Sequence, residues 1–436
     1  MNLDEALAWL DGHIDLERSK AVAGRVEGLK LDSMRALVGV LGDPQHAQPT
    51  VHVTGTNGKG SVARMVTRLL GGHDLPVGTY LSPHLERINE RISRNGEPIS
   101  DEQLAEVLLD LAQYETLLEH RPSYFELLTA AALRWFADEA VAAAVVEVGL
   151  LGRYDATNVV DGLVAVLTNV GHDHTDGQGD WRRRVAEEKA GIVKPGSTFV
   201  VGETSPELRP VFDDTPAEAR WYRGEDFDCV DNRLAVGGRL VSLRTPGGAY
   251  DEVFLPLHGE HQGDNAAVAL AAAEAFFQRP LDDALVREAF ASVENPGRFE
   301  VLRHEPLVIL DGAHNVDGAR AAAKTLAEGF AIAGDRRFVV GMLTGRDPEE
   351  LLRVLGVATA AEVVCCTPDS PRALDARDLA KAVAAVGGSA RVVADAGDAM
   401  ATAVEHADDD DLVFVTGSLY TVGAARAAAR RLGLLR

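Results

Sequence analysis

The stretch that decides the fold of this chain is Thr50-Val51-His52-Val53-Thr54-Gly55-Thr56-Asn57-Gly58-Lys59-Gly60-Ser61. Its first five residues predict an apolar strand, and its glycines predict a tight turn. Apolar side chains then recur at helical spacing, at Val62, Met65, Val66, Leu69 and Leu70. A strand, a glycine-rich turn and an amphipathic helix in this order are typical of a phosphate-binding loop.

The residue types in this turn suit phosphate chemistry. Glycines allow positive φ and let several backbone N–H groups point to one place, where the following helix adds its positive end. Lys59 supplies a cation for terminal phosphates, and Ser61 can reach a Mg²⁺ ion. The spacing differs from the common nucleotide-triphosphatase loop, because two residues separate Gly55 from Gly58 and Gly60 precedes Ser61. The alternative is a glycine-rich turn with an incidental lysine, which the agreement of all these features disfavours.

Length and composition predict a two-domain protein that works in the cytoplasm. A chain of 436 residues is longer than one core usually supports, and its hydrophobic content of 46% is ample for two. No apolar run approaches the roughly 18 residues of a bilayer span, and the N-terminus lacks the pattern of a secretion signal. We therefore expect no membrane partner. The three cysteines lack metal-binding spacing, so we expect them to be reduced.

The charge balance excludes one class of partner. The net charge is −24, and only seven of the 43 basic residues are lysines. Without a basic stripe for phosphate backbones, we expect no nucleic acid partner. Two explanations of the acidity remain open: a generic solvated surface, or a salt-rich cytoplasm in which screening removes self-repulsion. The scarcity of lysine favours the second, halophilic explanation.

Alternating strands and helices predict an α/β open sheet in the first part of the chain. Two apolar runs, 142–148 and 163–170, are typical of buried parallel strands, and ligands gather beyond the carboxyl ends of such strands. At or near these ends the sequence places Glu147, Asn169, His172 and His174. The other predicted elements are helices within 1–48, a strand at 77–80, helices at about 101–119 and 123–138, a strand-rich region at about 198–256 with hairpin turns at 231–233 and 236–239, and a helix from 264 to 277.

The segment Pro296-Gly297-Arg298 is the best boundary between domains. Beyond it, strands are expected at 307–310, 338–343, 362–366, 391–394 and 412–416, with helices at 317–330, 349–356, 375–386 and 397–406. The predicted fold class is α/β with two doubly wound domains. Residues 1–297 form an N-terminal P-loop domain, and residues 298–436 form a smaller, Rossmann-like C-terminal domain.

Nine short motifs follow one another between about residues 50 and 315. They are His52 to Val62, Ser82-Pro83-His84-Leu85, Glu147-Val148-Gly149, Arg153 with Asp155-Ala156-Thr157-Asn158, Asp173-His174, Glu188-Lys189-Ala190-Gly191-Ile192, His261-Gln262 with Asn265, Pro296-Gly297-Arg298, and Asp311-Gly312-Ala313-His314-Asn315. Together they resemble the ATP-dependent amide ligases that include the muramyl ligases, and within them the folylpolyglutamate and dihydrofolate synthases. The rest of the chain fits the family's second domain in pattern only.

The resemblance implies ATP and Mg²⁺ as cofactors and assigns their contacts. The implied ATP-binding residues are Thr56, Asn57, Gly58, Lys59, Gly60, Ser61, Asn265, Arg298 and Asp311. The implied metal ligands are Ser61, Ser82, Glu147 and His174. Histidine is an unusual ligand for magnesium, so a hydrogen-bonding role for His174 stays open.

The implied catalytic residues are Lys59, Lys189 and His174. In the related enzymes, the lysine that matches Lys189 carries CO₂ as a carbamate, which turns a cation into an anion that supports the metal site. Carbamylation requires a neutral amine, which burial favours. The alternative is an ordinary lysine on a helix surface.

The resemblance also implies a pterin pocket formed by Phe125, Glu126, Tyr154, Asp155 and Ala156. The sequence departs from the family pattern near this pocket at two places. Leu151 stands where the family has a small residue, usually glycine, and Leu31-Asp32 replaces a common Pro-Gly. Which pterin is used therefore stays open.

The sequence thus predicts a cytoplasmic ligase that joins a folate-type carboxylate, such as dihydropteroate or tetrahydrofolate, to L-glutamate at the expense of ATP. We expect small-molecule partners only, and a monomer. The alternatives are a muramyl-type or other amino-acid ligase and, from a different class, a nucleotide-binding regulatory protein without turnover. The presence of Glu147, His174 and Lys189 argues against the regulatory protein.

Overall fold

The computed structural model describes residues 2–15, 30–172 and 179–435, and it contains two α/β units. The strands of the first unit are β1 (Thr50–Thr54), β2 (Val77–Tyr80), β3 (Ile92–Arg94), β4 (Glu97–Pro98), β5 (Ala143–Glu147), β6 (Gly162–Leu167), β7 (Thr198–Val201), β8 (Ala219–Tyr222), β9 (Asp228–Ala235), β10 (Gly238–Thr245) and β11 (Gly248–Leu255). Its helices are α1 (Leu3–Asp11), α2 (Asp32–Val40), α3 (Lys59–Gly71), α4 (Asp101–Glu115), α5 (Tyr124–Asp138), α6 (Trp181–Ala190), α7 (Arg209–Asp213), α8 (His261–Phe277) and α9 (Asp283–Ala291).

Strand β1 lies in the middle of an eight-stranded sheet of order β4-β3-β2-β5-β1-β6-β7-β8. It runs parallel to β5 and β6, so that Val53 pairs with Glu147 and Thr54 pairs with Leu167. All five residues of β1 are buried, because α3, α8 and α9 cover one face of the sheet and α4 and α5 cover the other. The carboxyl ends of the three strands therefore meet at one edge, as the sequence predicts.

Helix α3 confirms the helix predicted after the glycine-rich turn. Its buried side chains include all five apolar residues of the predicted stripe: Val62, Met65, Val66, Leu69 and Leu70. The helix begins at Lys59, directly after Gly58 in the left-handed region at φ 83°. This start places the backbone N–H groups of the first turn at the carboxyl edge of the sheet.

The strand-rich region forms a three-stranded antiparallel sheet of order β11-β10-β9. The hairpin turn predicted at 236–239 is confirmed, with Gly237 at φ 77° between β9 and β10. The turn predicted at 231–233 is wrong, since these polar residues lie inside β9. They form a strand because β9 is an edge strand whose side chains partly face solvent. The predicted helix start at 264 is also late, since α8 begins at His261.

The second unit contains β12 (Glu300–His304), β13 (Leu307–Leu310), β14 (Arg336–Val340), β15 (Glu362–Cys365), β16 (Ala390–Val392) and β17 (Leu412–Thr416). Its helices are α10 (Val316–Gly329), α11 (Pro348–Leu355), α12 (Ala376–Ala385), α13 (Ala396–Glu405) and α14 (Leu419–Arg431). The sheet order is β12-β13-β17-β14-β15-β16, and all pairs are parallel except that of β12 with β13. The predicted alternation of strands and helices is confirmed from β13 to β17.

Two elements of the second unit are missing from the sequence prediction. Strand β12 is an antiparallel edge strand, and its side chains are half-buried or exposed. Helix α14 buries chiefly small residues, among them Gly423, Ala425 and Ala428, so its apolar periodicity is weak in the sequence. Among the described residues, no helix is both long enough and apolar enough to cross a bilayer.

Candidate active site

The glycine-rich turn after β1 is held in place by the residues that follow β6. The backbone N–H of Thr56 donates to the carbonyl of Asn169 at 3.1 Å, and that of Asn57 donates to the side-chain oxygen of Asn169 at 3.0 Å. In return, the Thr168 hydroxyl and the Asn169 amide donate to the Asn57 carbonyl at 2.6 and 2.9 Å. Two adjacent parallel strands therefore fix the turn through their carboxyl ends.

Two glycines of the turn are required by close contacts. A Cβ atom at Gly55 would collide with the Thr168 hydroxyl. A Cβ atom at Gly58 would lie 2.6 Å from the side-chain oxygen of Asn265, and Gly58 also has positive φ. Asn265 on α8 thus lies directly against the turn, where the resemblance expects a nucleotide contact.

Two lysine amines meet at one carbonyl of the turn. Lys59 Nζ donates to the carbonyl oxygens of Gly55 and Thr56 at 3.1 and 3.3 Å. Lys189 Nζ on α6 donates to the same Gly55 oxygen at 2.7 Å, and the Lys189 side chain is buried. The interpretation of Lys189 as a surface lysine is therefore wrong. The protein places this amine inside the phosphate loop.

A carboxylate and two serines lie beside the start of α3. The Glu147 carboxylate ends β5 and lies 3.6 Å from the position of a Cβ atom on Gly60, and it accepts the Ser82 N–H at 3.0 Å. Burial raises the pKa of Glu147, and the nearby Lys59 charge opposes that shift most strongly. The Ser61 hydroxyl accepts a hydrogen bond of 2.8 Å from Asn295.

These oxygen donors fit a Mg²⁺ ion that is shared with phosphate groups. Within residues 2–15, 30–172 and 179–435, no group of three or more His, Cys, Asp or Glu side chains could hold a metal by itself. One carboxylate and two hydroxyls are the kind of partial ligand set with which Mg²⁺ keeps water and phosphate ligands. The fourth predicted ligand, His174, lies outside the described residues.

The second unit contributes residues to the same place. The Arg298 guanidinium lies 3.4 Å from the Gly312 carbonyl and near Asp311, whose carboxylate accepts the N–H groups of Phe299 and Ala313, each at 2.9 Å. Burial raises the pKa of Asp311, and the Arg298 charge opposes this. Arg298 therefore brings a cation to the carboxyl edge of the second sheet.

Two asparagines outside the first sheet contact the phosphate loop and the start of α3. Neither had a role predicted from the sequence. Asn315, the N-cap of α10, donates from its amide to the Asn57 side chain at 3.0 Å. Asn295 donates to Ser61 from the linker, which is the segment of residues 292–299 between α9 and β12. Asn315 ends a quoted motif and Asn295 adjoins another, but a polar residue at such a place is too common to predict a particular contact.

The five predicted pterin residues lie near one another but differ in how available they are. A Cβ atom at Gly149 would collide with the Phe125 ring, so this ring lies on the loop that follows β5. Ala156 is buried in that loop, whereas Tyr154 is 41% exposed. Two carboxylates have local partners. Glu126 accepts the Ser123 N–H and hydroxyl in a capping box at the start of α5. The Asp155 carboxylate accepts backbone N–H groups of its own loop.

The Asp155 carboxylate organises the loop after β5. It accepts the backbone N–H groups of Leu150 and Thr157 at 2.8 and 3.0 Å. Burial raises the pKa of Asp155, and the Thr157 hydroxyl opposes the shift. The Thr157 hydroxyl donates to Asp155 and also lies 2.9 Å from Nε2 of buried His52 on β1. Burial lowers the pKa of His52 to about 3.

Leu151, where the sequence departs from the family pattern, has a backbone conformation that is unusual for a leucine. Leu151 has φ 57°, in the left-handed region that favours glycine, and the Thr54 hydroxyl donates to its carbonyl at 2.6 Å. Glycine would adopt this conformation without the steric cost that leucine carries. The second departure falls at the start of α2, where Asp32 is the first helical residue and Leu31 is buried.

Two family models match successive parts of the chain. The Mur ligase middle domain matches residues 53–273, and the Mur ligase glutamate ligase domain matches residues 297–419. The chain is 40% identical over 440 residues to a dihydrofolate synthase/folylpolyglutamate synthase of Mycobacterium tuberculosis, covering 91% of this chain and 89% of that protein.

Two solved structures have the same fold. One is a Mycobacterium tuberculosis folylpolyglutamate synthase complexed with ADP and AMPPCP, 37% identical, with a TM-score of 0.89 and coverage of 98% of this chain and 97% of that one. The other is a Yersinia pestis bifunctional folylpolyglutamate synthase/dihydrofolate synthase complexed with AMPPNP and a Mn ion, 31% identical, with a TM-score of 0.84 and coverage of 99% and 98%. The resemblance inferred from the sequence is confirmed: the chain belongs to the Mur ligase family, with the dihydrofolate synthase/folylpolyglutamate synthases.

Proposed function

We propose that this chain is an ATP-dependent ligase that forms an amide between a folate-type carboxylate and the amine of L-glutamate. The observation that carries the proposal is the meeting of the phosphate loop, Glu147, buried Lys189 and Arg298 at one place. The related structures bind ADP, AMPPCP or AMPPNP with Mn, which supports ATP and a divalent metal here. Residues 1–297 and 298–436 are the proposed domains, and a cytoplasmic monomer is the proposed state.

The proposed nucleotide site uses the residues predicted from the sequence. Backbone N–H groups at the α3 start bind phosphates, and Asn265 and Asp311 contact the rest of the nucleotide. Lys59 and Arg298 neutralise charge that develops on the transferred phosphoryl group. Ser61, Ser82 and Glu147 would hold Mg²⁺, with His174 as the remaining proposed ligand. The metal would supply further charge neutralisation on the phosphates.

The reaction requires activation because a carboxylate is a poor acyl donor. A folate carboxylate oxygen attacks the γ-phosphorus of ATP, the bond to the bridging oxygen breaks, and ADP leaves. The glutamate amine then attacks the acyl phosphate carbon, the C–O bond to phosphate breaks, and the amine loses a proton. Residues of both units surround this centre, which keeps water away from the acyl phosphate.

Lys189 is proposed to be carbamylated. Two amines at one carbonyl oxygen, those of Lys59 and Lys189, place like charges close together when both are protonated. A carbamate on Lys189 would replace that repulsion with attraction. Burial of the side chain supports this proposal, because a neutral amine is the form that reacts with CO₂.

The folate site is proposed to lie where Phe125 meets the loop after β5. Tyr154, which is 41% exposed, offers a ring face for a flat heterocycle, and buried Phe125 and Ala156 would form the apolar floor beside it. The carboxylates of Glu126 and Asp155 have local partners, so each can meet a pterin only with its remaining acceptor capacity. Exposure of Tyr154 supports an open entrance to this pocket.

The proposal is tested by measuring ADP release with ATP and L-glutamate in the presence of dihydropteroate, tetrahydrofolate or a muramyl peptide. We expect glutamate-dependent ADP formation with one or both pterins and only background with the muramyl peptide. Activity with the muramyl peptide alone would establish the alternative ligase. Tight ATP binding without ADP release in any arm would establish the regulatory protein.

A further inference from the structure

We propose that Arg426 on α14 is a positioning residue for the Ser82 loop, which is the segment of residues 81–91 between β2 and β3. Arg426 holds this loop against the linker that leads to Arg298. The loop carries Ser82, a proposed metal ligand of the first unit. The inference rests on the proposed function, since it assigns the metal role to Ser82. Helix α14 begins at Leu419, where the match to the glutamate ligase domain ends.

One carboxylate holds the middle of the Ser82 loop together. The Glu90 carboxylate accepts the backbone N–H groups of residues 85–87 at 2.8–3.0 Å. At the other end of the loop, the Ser82 N–H donates to Glu147 at 3.0 Å. Only Pro83 and His84 separate Ser82 from this bonded segment, so a displacement of residues 85–87 would shift Ser82.

Leu85 of this loop packs into the second unit. Its side chain contacts the core beneath α14, and a Cβ atom at Gly423 would collide with the Leu85 carbonyl. A Cβ atom at Gly297 would lie 3.0 Å from the Leu85 side chain and 3.1 Å from Val422. The loop, the linker and α14 therefore meet at Leu85 with no room for a side chain between them.

Arg426 joins the same three elements by charge. Its Nε lies 3.0 Å from both carboxylate oxygens of Glu300, and its Nη1 pairs with Glu86. Glu300 in turn accepts the Gly297 N–H at 2.7 Å. The Glu86 side chain is 9% exposed and that of Arg426 is 15% exposed, so salt screens these pairs weakly. Arg430 also pairs with Glu86, but its side chain is 51% exposed.

The planar guanidinium is suited to this task. It presents separate N–H groups to two carboxylates in a fixed geometry, which a lysine ammonium does not. An unbroken series of contacts therefore runs from the Ser82 loop through Glu86, Arg426 and Glu300 to Gly297, the residue before Arg298. Loss of the pair between Glu86 and Arg426 would leave the P-loop intact and release only the Ser82 side of the metal site.

The test measures ATP affinity with Mg²⁺ and with EDTA, by titration calorimetry on the full chain without folate or glutamate. Glu86→Gln removes the negative charge of this one side chain. Arg426 keeps its ion pair with Glu300, so this variant is expected to fold. We expect Glu86→Gln and Arg426→Lys to lose about tenfold in ATP affinity with Mg²⁺ and less than twofold in EDTA. Arg431→Gln, which removes an exposed arginine of the same helix outside this set of ion pairs, is the matched control and should change less than twofold in both conditions.

A double variant, Glu86→Gln with Arg426→Lys, should lose no more than either single variant, because both break one connection. Equal losses with Mg²⁺ and with EDTA would show a merely structural role and overturn the inference, as would unchanged affinity. ADP formation by the unmodified chain tests the proposed function separately. A ligase for another carboxylate would still show the Mg²⁺-dependent loss.

Discussion

The phosphate loop and the loop after β5 both leave the carboxyl edge of the same sheet, yet they are built differently. In the phosphate loop, the backbone faces the expected ligand, and glycines at 55 and 58 are enforced by contacts with Thr168 and Asn265. In the loop after β5, a leucine occupies a left-handed position and the Asp155 carboxylate holds the loop together. In the proposed site, the first region would bind its ligand through the main chain, and the second through side chains that also hold the loop together.

Because of this difference, residue roles are easier to predict in the phosphate loop than in the loop after β5. Main-chain binding leaves few alternatives, since a residue other than glycine would collide. Side-chain binding allows many solutions, because a carboxylate such as that of Asp155 serves the loop whether or not it meets a substrate. Mutations should therefore have large and uniform effects in the first region and smaller, separable effects in the second.

The most severe test of the comparison is Lys59→Ala. Since Lys59 is proposed to neutralise charge on the transferred phosphoryl group, turnover should fall roughly 10²–10³-fold, as for other preorganised contacts to a transition state. The melting temperature should stay within a few degrees, because the helix start does not depend on this amine. Initial-rate kinetics and a thermal scan on the same preparation measure both. Near-normal turnover in a folded variant would remove Lys59 from the reaction.

Lys189→Ala should lower turnover by roughly 100-fold, because it removes the group proposed to support the metal site. Enzyme freed of CO₂ at mildly acidic pH should lose activity that bicarbonate restores, whereas Lys189→Ala should not respond. Lys381→Ala, which removes a surface lysine paired with Asp378, is the matched control. Density for an unmodified amine at Lys189 at neutral pH would refute the carbamate.

Buried His52 links β1 to the loop after β5 and should make stability depend on pH. Burial lowers its folded-state pKa to about 3, while the unfolded value is about 6.5. The unfolded chain therefore binds the extra proton as pH falls below 6.5, and stability present above that pH is lost. Between pH 7 and pH 5 the unfolding free energy should drop by about 2 kcal/mol more than in His52→Gln.

Urea unfolding at the two pH values measures this difference. The carboxyl groups of Asp155 and Glu147, whose folded pKa values are raised, oppose the trend in both proteins. Their contribution cancels in the comparison with His52→Gln. Parallel losses in the two proteins would mean that His52 is protonated in the folded state.

Tyr154→Ala tests whether the two regions are separable. Because the ring is 41% exposed, the melting temperature should not change. The KM for the folate substrate should rise roughly tenfold as a stacking surface is lost, by analogy with the contribution of aromatic pairs. ATP affinity should stay the same. A change in ATP affinity of similar size would show that the two loops act as one unit.

The smallest effect concerns the whole surface. A net charge of −24 with 36 arginines and seven lysines suggests adaptation to a salt-rich cytoplasm. At 1 M salt the screening length is roughly 3 Å, so self-repulsion largely disappears. The melting temperature should rise by several degrees from about 0.1 M to 2 M KCl. A flat or falling curve would favour the generic acidic surface.

The features predicted from sequence are those set by local pattern. The P-loop, the parallel strands that end at Glu147 and near Asn169, and the alternation from β13 to β17 all follow from periodicity and turn residues. Helix α14 was not predicted, because glycine and alanine at its interface give little contrast in hydrophobicity. The contacts of Asn295 with Ser61 and of Arg426 with Glu86 were not predicted either, since each joins residues more than 200 positions apart.

The placement of β1 also determines when the phosphate loop can form during synthesis of the chain. Both neighbours of β1 in the sheet, β5 and β6, follow it by at least 89 residues, since Val53 pairs with Glu147 and Thr54 with Leu167. At about 5–20 residues per second, a ribosome leaves this apolar strand without partners for several seconds. The phosphate loop, although translated early, can therefore become competent only after Leu167 has been made, and until then the exposed valines of β1 are a natural target for chaperones.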